Sequence, residues 1–393
     1  MPAGRLLLSR GLRGAVDGTV SVLLAGYLTR LGLTPIAVGE IVTAMLLGSG
    51  VLTLAVGLVA HRFPLRGLLL FAAALMVATG LAFATLDGFW PLLAIGFVGT
   101  LNPTNGDVSL FLPLEQAALA STEATGARRT ALFARYNVTG SFAGALGALA
   151  AGLPALVARR FGVAMQAAER STFFVYAAIG VVVAWIYLAL PNVHAGSVTP
   201  RVLERSRSIV IRLAAIFSLD AFGGGFVVQS LLAMWLFRRF HVSLPTAGAF
   251  FFCASLAGAL SQFLSPRLAA RIGLIRTMVY THVPANLFLI AAALMPTLGL
   301  TILFLLLRAS VSSMDVPARQ AYVMAVVPLE ERAAAASVTN VPRSLASAIP
   351  PMFTGMMLER TTFGWPLICA GLLKVSYDFI LLAQFRKVAP QAE

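Results

Sequence analysis

Apolar runs of about twenty residues recur along nearly the whole of this 393-residue chain, with short loops between them. In a helix rising about 1.5 Å per residue, such a run matches the roughly 30 Å of hydrocarbon in a bilayer. Lipid offers the backbone no hydrogen bonds, so a run this long must satisfy its own N–H and C=O groups, which a helix does and an open strand does not. Twelve runs read as spans: 12–31, 36–60, 67–86, 90–112, 129–153, 172–190, 209–234, 245–266, 277–295, 298–325, 336–358 and 365–385. The composition agrees: 59% of residues are hydrophobic and 11% charged, with a mean hydropathy of +0.88, against roughly a quarter charged in soluble domains. The expected fold class is all-α, a polytopic membrane protein with twelve transmembrane helices and no sizeable domain outside the bilayer.

The N-terminal stretch MPAGRLLLSRGLRG has scattered arginines and no small-residue cleavage site, so the first span is expected to be retained. Cys253 and Cys369 lie in separate spans without metal-ligand spacing. The larger share of the 29 basic residues falls in loops and span ends that lie inside if the N-terminus is inside, which places both termini in the cytoplasm. The same loops, facing anionic lipid, account for the net charge of +14. A nucleic-acid partner would require a basic domain or an aromatic-basic platform, and the sequence has neither.

The chain reads as two halves. PNVHAGSVTPRVLERSRS follows the sixth span as a polar, basic linker, so residues 1–190 form one six-helix half, 191–208 the linker and 209–393 the other half. RTALFARYNVTGSFAGA from Arg129 echoes RAAAASVTNVPRSLASA from Arg332, pairing Asn137 with Asn340. PLEQA at Pro113 echoes PARQA at Pro317, and LVAHRFPL echoes LAARIGL. These matches recur at nearly one offset and indicate pseudo-symmetric six-helix halves, a known transporter architecture.

The segment GLVAHRFPLR, Gly57 to Arg66, resembles the loop signature of the major facilitator superfamily, Gly-x-x-x-Asp-Arg-x-Gly-Arg-Arg, with His61 at the acidic position and Pro64 at the second glycine. Its second-half echo keeps Arg271 and Gly273, with Ala270 at the acidic position. GSFAGALGALAAGLP in span five is similar to part of the family's antiporter motif, with Ala145 in place of proline, and Asp17 and Thr19 loosely match an acidic first-span motif of proton-coupled drug exporters. The resemblance covers essentially the whole chain and implies alternating access. The span-five glycines Gly140, Gly144 and Gly147 also fit a plain packing role, since small residues four apart let helices approach closely. Pro350 and Pro351 are expected to bend span eleven, as a static kink or a hinge.

Charges at lipid depth are expensive and face protein or water. Arg308, Asp315 and Arg319 in span ten lie within about 40° of one another on a continuous helix. Four-residue spacing pairs Asp315 with Arg319, and likewise Lys374 with Asp378 in span twelve, while Arg308 lacks a local acid. Its anion is either a carboxylate of another span, Asp220 first, or an acidic group on the substrate. Glu115 stands at the repeat position of Arg319, so a latch between the halves and static pairing within each half are both open. Candidates for substrate binding or proton coupling are Arg308, Asp220, Asp17, Asn102, Asn105, Tyr136, Asn137 and Asn340. Candidates for a cytoplasmic gate are Arg62, Asp107, Glu115, Arg129, Asp315, Arg319 and Arg332. For the asparagines, packing between helices is an equally simple role. Of the four histidines only His282 lies within a span, near its end.

The sequence has no Gly-x-x-x-x-Gly-Lys-Ser/Thr, Gly-x-Ser-x-Gly or His-Glu-x-x-His pattern, so neither an enzyme nor a cofactor or metal site is expected. The expectation is a secondary active transporter of a small solute, proton-coupled and exporting, with metabolite uptake by symport, or a non-transporting sensor on the same fold, as alternatives. Its expected partners are the small-molecule substrate, protons and membrane lipids. It is expected to work as a monomer in a bacterial inner membrane.

Overall fold

The computed structural model describes residues 2–104, 109–120, 126–192 and 206–385, and every extended regular element among them is helical. The first half contributes α1 (Pro2–Arg30), α2 (Pro35–Val59), α3 (Leu65–Thr85), α4 (Phe89–Val98), α5 (Phe111–Ala120), α6 (Gly126–Ala150), α7 (Leu153–Phe161) and α8 (Met165–Leu188). The second contributes α9 (Arg207–Gly225), α10 (Gln229–Phe240), α11 (Leu244–Gln262), α12 (Ser265–Ile272), α13 (Leu274–Leu294), α14 (Leu298–Ser312), α15 (Asp315–Val326), α16 (Arg332–Ala348), α17 (Pro350–Arg360) and α18 (Trp365–Phe385). Nine segments among the described residues are long and apolar enough to cross a membrane. With α1 and the α4–α5 and α16–α17 pairs, they make up the twelve spans of an all-α polytopic fold.

Several spans break where the sequence withdraws a backbone donor. Span ten, expected as one helix, stops at Ser312 and restarts at Asp315; Pro317, in the first turn of α15, has no N–H to continue the ladder from α14. Pro113 occupies the equivalent turn of α5 in span four. Span eleven divides at Ile349, with Pro350 opening α17. Span seven ends its first helix at the glycine run Gly223–Gly225.

The chain divides into two compact units, one of Met1–Ser197 with Val228–Phe252, the other of Val198–Val227 with Cys253–Glu393. Residues 228–252 pack with the first unit and not with the segments that flank them in sequence. The reason is local: Gln229 Nε2 donates to Ser21 Oγ at 3.0 Å and the Ser230 N–H to the Pro103 carbonyl at 3.1 Å. Most of the expected linker, 193–205, lies outside the described residues. Inside each unit the pairing repeats: α1 lies on α6 and α8 and α3 on α8 in the N-terminal unit, while α9 lies on α16 and α18 and α13 on α18 in the C-terminal unit.

Within the N-terminal unit the span-five glycines are a packing face. A side chain at Gly147 would collide with the Ala15 carbonyl, and one at Gly18 with the Gly144 carbonyl. The close approach lets Thr19 Oγ1 reach the Gly147 carbonyl at 2.9 Å.

A buried carboxylate then ties four helices together. Glu115 of α5, fully withdrawn from solvent, accepts on Oε1 from Ser9 Oγ and Tyr187 OH, both at 2.5 Å, and on Oε2 from Tyr136 OH at 2.5 Å and from Arg13. The Arg13 guanidinium also lies 4.1 Å from the Phe111 ring centroid. The donors come from α1, α6 and α8. A buried ion pair is worth little net, yet removing one partner strands the other, at a cost of roughly 3–5 kcal/mol.

Three outcomes follow for the purified protein. Gly147→Ala should lower the thermal midpoint by an amount equivalent to about 1–3 kcal/mol, because the obstacle is backbone that cannot swing aside. Glu115→Ala should cost more, about 3–5 kcal/mol, and Tyr136→Phe less, about 1.5–3 kcal/mol for one hydrogen bond to a charged group. Thermal unfolding followed by tryptophan fluorescence measures all three; an unchanged midpoint in Glu115→Ala would contradict the cage.

Candidate functional site

The C-terminal unit gathers its titratable side chains around one residue of α9. Asp220 is 3% exposed and lies one turn before the Gly223–Gly225 run. With no side chains at Gly223 and Gly224, the stem of Lys374 from α18 lies against the helix, and its Nζ donates to Asp220 Oδ1 at 2.6 Å. Arg319 of α15 donates to Asp220 Oδ2 at 3.3 Å and to Asp315, one turn back on its own helix, at 3.1 Å. The Arg319 guanidinium also lies 5.7 Å from the Phe217 ring centroid.

His282 of α13 bridges this carboxylate to a second one. Its Nε2 is 3.6 Å from Asp220 Oδ1, while its Nδ1 lies 3.0 Å from both oxygens of Asp378. Asn286, one turn along α13, donates to Asp378 Oδ2 at 3.4 Å. The Asp315–Arg319 pair matches its four-residue spacing. The expected Lys374–Asp378 pair is not formed: Lys374 turns to Asp220 and Asp378 to His282, because α9 and α13 bring partners closer than the same-helix neighbour.

Two more cations complete the cluster. Arg308 on α14 and Arg343 on α16 are both half-buried, and each has a fully buried Nε without a hydrogen-bond partner among the described residues. The charge of Asp220 reaches both, yet neither hydrogen-bonds to it. The cluster therefore holds four fixed cations, Arg308, Arg319, Arg343 and Lys374, against three carboxylates, Asp220, Asp315 and Asp378.

The N-terminal unit distributes its polar groups differently. Asp17 is half-buried on α1, one turn beyond Arg13, with no hydrogen bond among the described residues. Asn102 Oδ1 accepts from the Thr104 N–H at 2.9 Å and from its hydroxyl at 2.6 Å, which shapes the turn between α4 and α5. Tyr136 serves Glu115. Asn137, Asn340 and Arg62 are exposed. Asn105 and Asp107 lie outside the described residues, as do the side chains of Arg129 and Arg332. Glu115 and Arg319, considered together as a latch, each have their charge met inside their own unit.

Thus Asp220, Asp315, Arg319 and Arg308 of the expected residues come together. Lys374 and Asp378, expected as partners of each other, join them with other partners. His282, noted only for its place within a span, and Arg343, which was not singled out, join them as well. The available signal was their depth within apolar spans, where any ionisable side chain is a functional candidate.

Comparison with known proteins places this arrangement. The family model of the Major Facilitator Superfamily matches residues 6–351 and 214–390. An uncharacterized membrane protein of Saccharomyces cerevisiae is 23% identical over 416 residues, covering 96% of this chain and 91% of its own. Among solved structures, a variant of the nucleoside transporter NupG is similar with a TM-score of 0.78 at 12% identity, covering 98% of this chain and all of that one. A bacterial homolog of the human lysosomal transporter Spinster, inward-facing and occupied, gives 0.73 at 17% identity, covering 98% of this chain and 97% of its own. The fold, the repeated helix pairing and the family match agree, and the chain belongs to the Major Facilitator Superfamily of membrane transporters.

Proposed function

We propose that the protein is a proton-coupled secondary transporter that moves a small solute by alternating access, with the Asp220 cluster as its coupling site. The observation that carries this reading is His282 held between two buried carboxylates, Asp378 at 3.0 Å and Asp220 at 3.6 Å. The charged groups facing it are Asp220 from α9 and Asp378 and Lys374 from α18, with Arg319 of α15 and Arg343 of α16 grouped around Asp220. A proton gained there strengthens both contacts of the ring. A neutral ring has one N–H and can donate to only one of the two carboxylates, leaving either Asp220 to Lys374 and Arg319 or Asp378 to Asn286. That exchange of partners across four helices is a means of linking protonation to helix movement.

Direction rests on separate observations. Export is supported by the partial antiporter pattern of span five, although its glycines also serve as the packing face for α1. Uptake by symport is supported by the charge balance, and we favour it: a proton added to His282 enlarges a cation surplus that a bound solute of opposite sign would offset, so the two bind together. In the orientation expected from the basic loops, with both termini cytoplasmic in a bacterial inner membrane, the proton gradient would drive such a solute inward. A single chain holds every residue of this cluster, in keeping with function as a monomer.

The test begins with a thermal-shift screen of solute classes on the purified protein. Stabilising solutes are then followed in proteoliposomes, by counterflow without a gradient and by accumulation under an imposed pH gradient. Wild type should accumulate solute when the side corresponding to the cell exterior is acidic. His282→Gln and Asp378→Asn should retain counterflow and lose gradient-driven accumulation. Accumulation by His282→Gln at the wild-type level would remove the coupling assignment, and accumulation with the gradient reversed would restore export.

A further inference from the structure

A guanidinium stays charged at any physiological pH, and leaving its buried donors without acceptors costs the full desolvation of the group. Proteins therefore supply such a side chain with an anion. The C-terminal unit does so for Arg319, which has Asp315 and Asp220, and for Lys374, which has Asp220. Neither Arg308 nor Arg343 has a carboxylate in hydrogen-bond or ion-pair contact among the described residues, and the Nε atom of each is buried without a partner there.

The acids of the cluster are already committed elsewhere. Asp220 serves Lys374, Arg319 and His282, Asp315 serves Arg319, and Asp378 serves His282 and Asn286. Rotating Arg308 or Arg343 onto Asp220 would take its oxygens from a partner already in place. The two arginines, on α14 and α16, cannot satisfy each other, since a guanidinium donates and has no acceptor.

We propose that Arg308 and Arg343 form the recognition site for the acidic group of the transported solute, which is a small organic anion bearing a carboxylate. Four cations face three carboxylates, and a proton on His282 adds to that surplus, which an anionic solute offsets. A guanidinium fork matches a planar carboxylate in two parallel N–H···O bonds, and two forks from different helices can divide its oxygens between them. Charge alone would also admit a phosphate monoester; the planar match to the guanidinium fork is what favours a carboxylate, and inorganic phosphate is therefore carried as the competing probe. This assignment rests on the transporter reading above and adds the substrate class and the residues that select it.

Equilibrium binding to the purified full chain in nanodiscs tests the assignment without a gradient or flux. The probes are monocarboxylates of increasing bulk (lactate, pyruvate, benzoate and phenylacetate), the neutral amides of the same acids, inorganic phosphate and tetraphenylphosphonium. Thermal shift is read first, then titration calorimetry for each stabilising probe. At least one carboxylate should stabilise wild type while its amide does not. Arg308→Gln and Arg343→Gln should each weaken that binding by about tenfold or more, as expected for one lost charge-assisted pair. Arg308→Lys and Arg343→Lys should recover part of it, since charge is kept and the fork lost.

Equal stabilisation by acid and amide would overturn the proposal. So would preference for tetraphenylphosphonium, wild-type affinity in both glutamine variants, or no stabilisation by any carboxylate. Stabilisation by phosphate alone would reassign the site to phosphoryl anions and overturn the carboxylate class. If a glutamine variant fails to fold, the lysine variants decide: an affinity identical to wild type in both excludes a fork-shaped contact. The outcomes also separate the two readings. Carboxylate binding without gradient-driven flux contradicts proton coupling alone, whereas gradient-driven transport of a neutral solute contradicts the anion site alone.

Discussion

An ionised side chain withdrawn from water must be given back in protein what it lost in hydration, several kcal/mol for each charge. That constraint shapes both halves of this transporter, and each meets it differently. In the N-terminal unit Glu115 receives four donors, two on each oxygen, from three other helices. Its acceptor capacity is largely used, and the result is a fixed knot joining α1, α5, α6 and α8. In the C-terminal unit Asp220 is contested by Lys374, Arg319 and His282, and two further cations stand by without partners.

Under the proposed coupling the contrast gives the halves different tasks. A fully satisfied buried network is rigid, because any displacement breaks hydrogen bonds that nothing else can replace. A contested carboxylate has several arrangements of similar character, and the arrival of a proton or an anion changes which is preferred. Such a bistable element is what converts a local change of charge into a movement of helices. The helix breaks lie beside the contested cluster: α9 ends five residues after Asp220, and α15 begins with Asp315 itself.

Much of this was legible in the sequence, for physical reasons. The spans follow from their length and from the need of backbone in lipid to satisfy itself, and the repeated helix pairing accords with the echo of Arg129–Gly140 in Arg332–Arg343. The Asp315–Arg319 pair follows from helical spacing, and the span-five glycines from their small size. What was not legible is where side chains turn when two partners are within reach. Lys374 and Asp378 have the spacing of a pair, but a lysine stem lying over Gly223 and Gly224 reaches Asp220 instead, and no pattern within α18 records that. His282 carries no motif, since its meaning lies in two carboxylates from other helices. Nor does spacing show that residues 228–252 fold against the first unit, because the hydrogen bonds responsible join Gln229 to Ser21 and Ser230 to Pro103.

The central claim is that proton and anion enter one charged cluster together, and proton counting tests it most directly. Titration calorimetry of a stabilising carboxylate, repeated in buffers of different ionisation enthalpy near neutral pH, gives the protons exchanged per ligand bound. The account predicts net uptake in wild type, approaching one proton per anion, and its loss in His282→Gln with binding retained. Binding of the anion with no proton exchanged, or with protons released, would contradict it.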